Sequence, residues 1–184
     1  MTPLCELAFK HKTDKCPQIF HSYTPEYYRI LKGKNFKKVL ELGIGSLVTM
    51  KHVKDYQIGA SLMMWRDFFP EAQIYGVDND PSTMIQRERI MTFLSDTTNS
   101  EDMKELIKTI GSDIDLVIDD GPHYTGCQIG TARTLLPLLK KEVIYIIEDC
   151  RNPERIKRSL PEYNCEILKL GGKMRDDNLV VITK

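Results

Sequence analysis

The sequence predicts an α/β fold with a mostly parallel sheet, flanked by helices and closed by a C-terminal antiparallel hairpin. Short apolar runs alternate with longer amphipathic stretches, which is the pattern of βαβ units. Near the end of the chain, two strand-like runs flank the turn-forming segment GGKMRDD. The chain has 184 residues, which suits one domain. We predict a single domain, with an N-terminal cap over residues 1–35 and a core over residues 36–184.

Each predicted element rests on its own local pattern. Runs rich in β-branched residues predict five strands, at residues 38–42, 74–77, 90–94, 114–118 and 143–147. Amphipathic stretches between them predict three helices, at residues 61–69, 100–110 and 128–139. Residues 166–170 and 178–184 form the predicted hairpin, and the basic segment PERIKRSL before it is predicted to be a solvated surface helix.

Composition excludes several classes of protein. Lys plus Arg equals Asp plus Glu, at 26 each, so no global positive field indicates a nucleic-acid partner. No apolar run approaches the length of a membrane span and the N-terminus has no export signal, so a cytoplasmic location is expected. Five scattered cysteines with no C-x-x-C pair indicate reduced thiols rather than disulfides or a zinc site.

A glycine pair follows the first predicted strand in the segment ELGIGS. Gly43 and Gly45 allow a sharp turn and a close approach of the backbone to a ligand. The third glycine of a dinucleotide fingerprint is missing, because Val48 stands at that position. The following helix begins near Ser61, where free backbone N–H groups attract an anion.

Acidic residues end three predicted strands in succession. Glu41 lies at the end of the first strand, Asp78 follows the second and Asp96 follows the third. Asp78 suits the two hydroxyls of a ribose, and Asp96 suits an adenine amino group, since an ionised carboxylate accepts several hydrogen bonds. Each aspartate alone is more often a turn residue or a helix cap. Their recurrence at one sheet edge favours adenosine binding.

The segment IDLVIDDGPHY, residues 114–124, brings ionisable groups to the end of a buried strand. Adjacent strand residues point to opposite faces, so only one of Asp119 and Asp120 is expected to face a ligand. Magnesium prefers oxygen ligands, and Asp120 and Asp149 follow two strands that are expected to be neighbours. His123 suits a general base, although an exposed turn histidine is the simpler alternative.

In combination, these motifs resemble a known family. The segments TDK, YTPEY, ELGIG, IDDGPH and YIIED are similar to those of the metal-dependent class I methyltransferases, over roughly residues 7–150. More narrowly, the chain resembles the enzymes that methylate sugar hydroxyls of macrolide antibiotics, with cephalosporin-hydroxylase-like proteins as relatives. Five strands closed by a hairpin also fit the Rossmann-like sheet of class I methyltransferases.

The resemblance implies S-adenosylmethionine as the methyl donor, a divalent ion, usually magnesium, and a histidine base. The implied base is His123. The metal ligands fall on Asp120 and on the pair Glu148 and Asp149, of which Asp149 matches better. We predict cofactor contacts from a glycine loop, a helix start and several acidic residues: Glu41, Gly43, Gly45, Ser61, Asp78, Asp96 and Asp119.

These features predict an S-adenosylmethionine-dependent, magnesium-assisted O-methyltransferase that acts on a small hydroxylated molecule such as a sugar or natural product. Two alternatives stay open, a non-catalytic cofactor-binding protein and a nicotinamide-dependent oxidoreductase. Lys141 and Glu142 replace the Gly-Gly turn that the family usually has, and little chain follows the metal motif. The acceptor therefore stays open, as does a homo-oligomer that completes its pocket.

Overall fold

The computed structural model describes residues 1–171 and 176–184. Within this part of the chain, eight strands form one mixed sheet: β1 (Lys38–Leu42), β2 (Gln73–Asp78), β3 (Gln86–Arg87), β4 (Ile90–Leu94), β5 (Leu116–Asp119), β6 (Ile144–Ile147), β7 (Asn164–Lys169) and β8 (Asn178–Thr183). The strand order is β3-β4-β2-β1-β5-β6-β8-β7. Strands β4, β2, β1, β5 and β6 are parallel, while β3, β7 and β8 pair antiparallel with their neighbours.

The described residues also contain six α-helices: α1 (Pro3–His11), α2 (Tyr23–Leu31), α3 (Ala60–Phe68), α4 (Ser100–Ile110), α5 (Thr125–Leu135) and α6 (Pro153–Ser159). Short 3₁₀ turns lie at Pro81–Thr83 and Leu136–Leu138. The helices α1, α2 and α3 pack on one face of the sheet, and α4, α5 and α6 pack on the other. None of the described helices is long and apolar enough to cross a membrane.

Alternating strand residues build the two apolar layers between the sheet and its helices. In β1, Val39 belongs to the layer under α1 to α3, and Leu40 belongs to the layer under α4 to α6. In β6, Ile146 belongs to the layer under α1 to α3, and Ile147 belongs to the layer under α4 to α6. All four side chains are fully buried, and each contributes about 1.5–3 kcal/mol to the free energy of unfolding. The sheet is therefore covered on both faces, and ligands reach it at its edges.

The predicted α/β architecture is confirmed, with shifts at the ends of elements. Strand β5 begins two residues later than predicted, and the Asp115 carboxylate just before it accepts the backbone N–H groups of Lys37 and Lys38, at 2.6 and 2.8 Å. The hairpin of β7 and β8 is confirmed, and part of its predicted turn, residues 172–175, lies outside the described residues. The prediction of a solvated helix at PERIKRSL is wrong in one respect, since Ile156 of α6 is buried in the core.

One arginine closes the C-terminal end of α3, and we predict that it stabilises the fold. The Arg89 guanidinium donates hydrogen bonds to the carbonyl oxygens of Arg66, Phe69 and Ala72 at 3.0–3.2 Å. Arg89→Met leaves these carbonyls without that donor and is expected to lower the free energy of unfolding by about 1–3 kcal/mol. Urea denaturation measures the loss. The control Arg87→Met changes an exposed residue of the edge strand, and an equal loss there would contradict the capping role.

Candidate functional site

A cavity of about 690 Å³ opens at the carboxyl ends of the parallel strands. This edge is where open α/β sheets bind ligands. Most of the residues that were predicted to form the site line this cavity: Gly43, Gly45, Ser61, Asp78, Asp120, His123 and Asp149. The N-terminal segment also contributes to the lining, through Lys15 and His21. One cavity therefore unites the predicted cofactor loop with the predicted metal ligands.

The glycine loop after β1 presents bare backbone to this cavity. Gly43 has a φ of 87°, and a Cβ atom there would lie 2.0 Å from the carbonyl oxygen of Asp120. Gly45 has a φ of 81°, which also favours glycine. Asp78 at the end of β2 holds the loop, because its Oδ2 accepts the N–H groups of Ile44 at 2.8 Å and Gly45 at 3.2 Å. The ends of β1, β2 and β5 are thereby fixed close together.

Two carboxylates and an imidazole converge in the same cavity. His123 Nε2 lies 3.2 Å from Asp120 Oδ1 and 3.4 Å from Asp149 Oδ2. Asp149 has a φ of 49°, in the left-handed region that few non-glycine residues adopt. Backbone strain of this kind costs roughly 1–3 kcal/mol and is concentrated at functional sites. Asp120, His123 and Asp149 also form a group whose ligand atoms could hold a metal ion.

Donors from the N-terminal segment occupy the other oxygen of each carboxylate. Lys15 Nζ donates to Asp120 Oδ2 at 2.6 Å, and the Tyr23 hydroxyl donates to Asp149 Oδ1 at 2.6 Å. Both donor side chains are fully buried. Sequence reasoning gave Lys15 no role and placed Tyr23 in an aromatic group that packs on the sheet or closes over the cofactor, although both residues lie in motifs that carried the family resemblance, TDK and YTPEY. The N-terminal segment is therefore part of the site rather than only a cover over it.

These contacts set the charges of the site. Burial alone would raise the pKa of Asp120, but the charge of Lys15 and the hydrogen bond from His123 lower it to about 2. Burial lowers the pKa of His123, but the hydrogen bond and charge of Asp120 outweigh that effect and raise it to about 9. Burial and the charge of Asp120 raise the pKa of Asp149. At neutral pH, an imidazolium at His123 thus balances the carboxylate charge.

Glu41 and Glu148, both predicted site residues, lie in a buried polar network behind the cavity lining. Glu41 Oε2 accepts a hydrogen bond from the Trp65 indole at 2.7 Å, and burial raises the Glu41 pKa to about 7. Glu148 Oε2 accepts from Lys15 Nζ at 2.6 Å, and its Oε1 accepts from the Tyr27 hydroxyl. Burial raises the pKa of Glu148 well above its ordinary value. The direct ligand contacts predicted for this pair stay predictions.

Two other predicted cofactor residues also lie away from the cavity lining. Asp119 is buried, its Oδ2 accepts from the Tyr145 hydroxyl at 2.6 Å, and burial raises its pKa to about 6. Asp96 is exposed, and its Oδ1 accepts from the backbone and the side chain of Thr98 at 2.8 and 2.7 Å. Of the adjacent pair, Asp120 is therefore the residue that faces the cavity, as strand alternation requires. The ligand contacts of Asp96 and Asp119 stay predictions.

A second histidine approaches the site from the N-terminal side. His21 Nδ1 lies 2.5 Å from Asp177 Oδ1, and His21 Nε2 lies 3.8 Å from Asp149 Oδ1. The His21 ring stacks on Tyr23 with the ring centroids 4.7 Å apart. His21, Asp149 and Asp177 are a second group with metal-ligand spacing, so Asp149 belongs to both groups.

Comparison with known proteins agrees with the geometry. No model of a protein family matches the chain. Over 148 residues, it is 34% identical to 8-demethyl-8-(2-methoxy-alpha-L-rhamnosyl)-tetracenomycin-C 3'-O-methyltransferase of Streptomyces olivaceus. Over 148 residues, it is 33% identical to mycinamicin VI 2''-O-methyltransferase of Micromonospora griseorubida. The predicted resemblance is confirmed. Each match covers 79% of this chain but only 36% and 35% of those relatives, so the chain spans about a third of their length.

Solved structures confirm the Rossmann-like methyltransferase fold. The MycE methyltransferase from the mycinamycin pathway, in complex with Mg, SAH (S-adenosylhomocysteine) and mycinamycin VI, superposes with a TM-score of 0.78 at 25% identity. That match covers 99% of this chain and 54% of the MycE chain. A Podospora anserina methyltransferase, PaMTH1, bound to SAH, superposes with a TM-score of 0.64 at 14% identity and shows the shared fold alone.

Proposed function

We propose that this chain is an S-adenosylmethionine-dependent, magnesium-assisted O-methyltransferase that acts on a hydroxyl of a small molecule such as a sugar or natural product. One observation carries the proposal. Asp120, Asp149 and His123 converge in the cavity that is also lined by the glycine loop and Asp78. The similar enzymes methylate hydroxyls, as their names state, which supports the same reaction class here.

The lining of the cavity fits the proposed methyl donor. Gly43, Gly45 and Gly121 line it without side chains, so a nucleoside can lie against the backbone. The Asp78 carboxylate lies in the same lining and can accept hydrogen bonds from ribose hydroxyls in addition to those from the loop. A cavity of about 690 Å³ is within the usual range for small-molecule sites.

The donor atoms also fit magnesium. Asp120 Oδ1 and Asp149 Oδ2 point to one place, and carboxylate oxygens are the ligands that this hard cation prefers. We propose these two residues as its protein ligands. When bound, such an ion lowers the pKa of a coordinated hydroxyl. Glu148 is the weaker candidate, because Lys15 and Tyr27 already donate to its two oxygens.

His123 is proposed as the base that accepts the proton of the acceptor hydroxyl at Nε2. The imidazole carries a proton at neutral pH. Burial lowers the pKa of His123, but the hydrogen bond to Asp120 and the charges of Asp120 and Asp149 outweigh burial and raise this pKa to about 9. The neutral imidazole, which is the basic form, becomes available when these carboxylate charges are balanced by another cation. The ring is half-buried beside the cavity, so its nitrogen can reach a bound hydroxyl.

Asp78→Ala is expected to weaken the binding of S-adenosylhomocysteine by about 1.5–3 kcal/mol, because hydrogen bonds to a charged acceptor are lost. Isothermal titration calorimetry measures the change. The affinity of the Asp96→Ala variant for S-adenosylhomocysteine is measured in the same way. An equal loss there supports the predicted adenine contact, and an unchanged affinity restricts the contact to Asp78. Unchanged affinity of the Asp78 variant would remove this residue from the cofactor site.

The reaction is tested with S-adenosylmethionine and a panel of glycosylated natural products that includes mycinamicin VI, by mass spectrometry of the methylated product. We expect transfer to a hydroxyl, loss of activity with a chelator, and recovery with magnesium better than with zinc. Full turnover in excess chelator would contradict the metal requirement. S-adenosylhomocysteine binding without transfer to any member of the panel supports the non-catalytic alternative. Stabilisation by NAD alone supports the oxidoreductase. The cytoplasmic location and a homo-oligomer stay predictions.

A further inference from the structure

The four oxygens of Asp120 and Asp149 are divided between two sets of partners. On the cavity side, Asp120 Oδ1 and Asp149 Oδ2 both face His123 Nε2, at 3.2 and 3.4 Å. On the inner side, Lys15 Nζ and the Tyr23 hydroxyl each lie 2.6 Å from the remaining oxygen. Each carboxylate thus presents one oxygen to His123 at the cavity and one oxygen to a hydrogen-bond donor of the N-terminal segment.

We propose that Lys15 and Tyr23 are metal-selectivity residues, which restrict Asp120 and Asp149 to one ligand oxygen each and so favour magnesium over calcium. This inference rests on the proposed function, because it concerns the same cation site. Magnesium takes an octahedral shell, retains several waters and uses one or two carboxylates. Calcium takes six to eight oxygens and frequently binds both oxygens of a carboxylate. Because the inner oxygens are already hydrogen-bonded, the affinity for calcium is lowered more than the affinity for magnesium.

Lys15 provides the stronger restriction, for two reasons. Its ammonium group carries a positive charge beside Asp120 Oδ2, so a cation that reaches for this oxygen is repelled as well as excluded. It is also held in place, because Nζ donates to Glu148 Oε2 at 2.6 Å and the side chain is fully buried. Tyr23 restricts Asp149 through a neutral hydroxyl, so its effect on the selectivity for magnesium over calcium is smaller. Both donors belong to the N-terminal segment.

The chain offers a matched control for each residue. Lys15→Met combined with Glu148→Gln releases the inner oxygen of Asp120 and replaces both members of the buried Lys15–Glu148 pair. Glu148→Gln alone retains Lys15 on Asp120. Tyr23→Phe removes only the hydroxyl that bonds Asp149, and Tyr27→Phe removes the equivalent hydroxyl that bonds Glu148. These controls separate a change in the stability of the fold from a change in how Asp120 and Asp149 bind a cation.

The test is calorimetric titration of each protein with MgCl₂ and with CaCl₂, in the absence of acceptor, to obtain the ratio of the calcium to the magnesium dissociation constant. We expect this ratio to fall by about tenfold in the Lys15→Met/Glu148→Gln variant, the factor that corresponds to one charge-assisted hydrogen bond. It should fall severalfold in Tyr23→Phe and stay within twofold of the unmodified protein in Tyr27→Phe. The change measured for Glu148→Gln alone is subtracted from that of the double variant, so that the remainder reports on Lys15.

Two outcomes overturn the inference, and they differ in what they say of the proposed function. If the unmodified protein binds magnesium and neither the Lys15 variant nor Tyr23→Phe changes the ratio, selectivity does not come from these donors while the proposed function is untouched. If the unmodified protein binds neither cation with S-adenosylhomocysteine present, both the inference and the metal requirement of the proposed function fail.

Discussion

His123→Ala is expected to lower the rate of methyl transfer by roughly 10²–10⁴-fold, the usual contribution of a general base. The imidazole nitrogen lies 3.2 and 3.4 Å from the cavity-facing oxygens of Asp120 and Asp149, where it can accept the proton of a hydroxyl bound in the cavity. Binding of S-adenosylhomocysteine should stay unchanged, because the glycine loop and Asp78 are untouched. Single-turnover measurements with saturating cofactor report the chemical step separately from binding.

Two comparisons show whether the loss comes from the missing base. Added imidazole should partly restore the rate of the His123→Ala variant, since a small molecule can enter the vacated space and accept the proton. His11→Ala removes a histidine that pairs with Asp67 at 2.8 Å and does not line the cavity, so this variant should retain full activity. Methyl transfer at the unmodified rate by His123→Ala across the pH range would show that this residue is a simple turn histidine.

Lys15→Met is expected to lower the free energy of unfolding by about 3–5 kcal/mol, the usual cost of removing one partner from a buried ion pair. The ammonium lies 2.6 Å from both Asp120 and Glu148 and 3.6 Å from Glu41 Oε1. These charges keep the pKa of Lys15 well above its ordinary value, in spite of the burial that lowers it. Without Lys15, the acidic groups are left together in a region with little solvent. Denaturant titration measures the loss.

Glu148→Gln in the Lys15→Met background should recover part of this stability, because it removes one of the acidic groups that have lost the lysine charge. Lys10→Met is the surface control. That lysine also pairs with an aspartate, but its side chain is 63% exposed, so its loss should cost no more than about 1 kcal/mol. Equal losses for the Lys10 and Lys15 variants would contradict the importance of the buried network.

The central parallel strands β1, β5 and β6 were predictable because each is a short apolar run that both layers of helices bury. The cavity-facing residues Gly43, Asp78 and Asp120 were predictable for a related reason, since parallel strands that end at one edge bring their last residues together. The alternation rule also limited the pair Asp119 and Asp120 to one cavity-facing residue, although it could not say which one.

The inner half of the site was not predictable from spacing. Lys15 meets Asp120 across 105 positions of the chain, and Tyr23 meets Asp149 across 126. Neither contact produces a repeating spacing of residues that could be recognised in the sequence. A lysine in a short polar segment ordinarily indicates an exposed loop. Asp96 shows that a correct position at the end of a strand does not by itself place a side chain in the cavity. It ends a strand at the correct edge, but its side chain bonds Thr98 in a local turn, which strand order does not reveal.

The most direct test of the proposed site is a crystal structure with S-adenosylhomocysteine and Mn²⁺, an ion that takes the same oxygen ligands as magnesium. We expect cofactor density along Gly43 and Gly45, and an anomalous peak bound by one oxygen each of Asp120 and Asp149. An anomalous peak held instead by His21 and Asp177, or cofactor density outside this cavity, would contradict the proposed site.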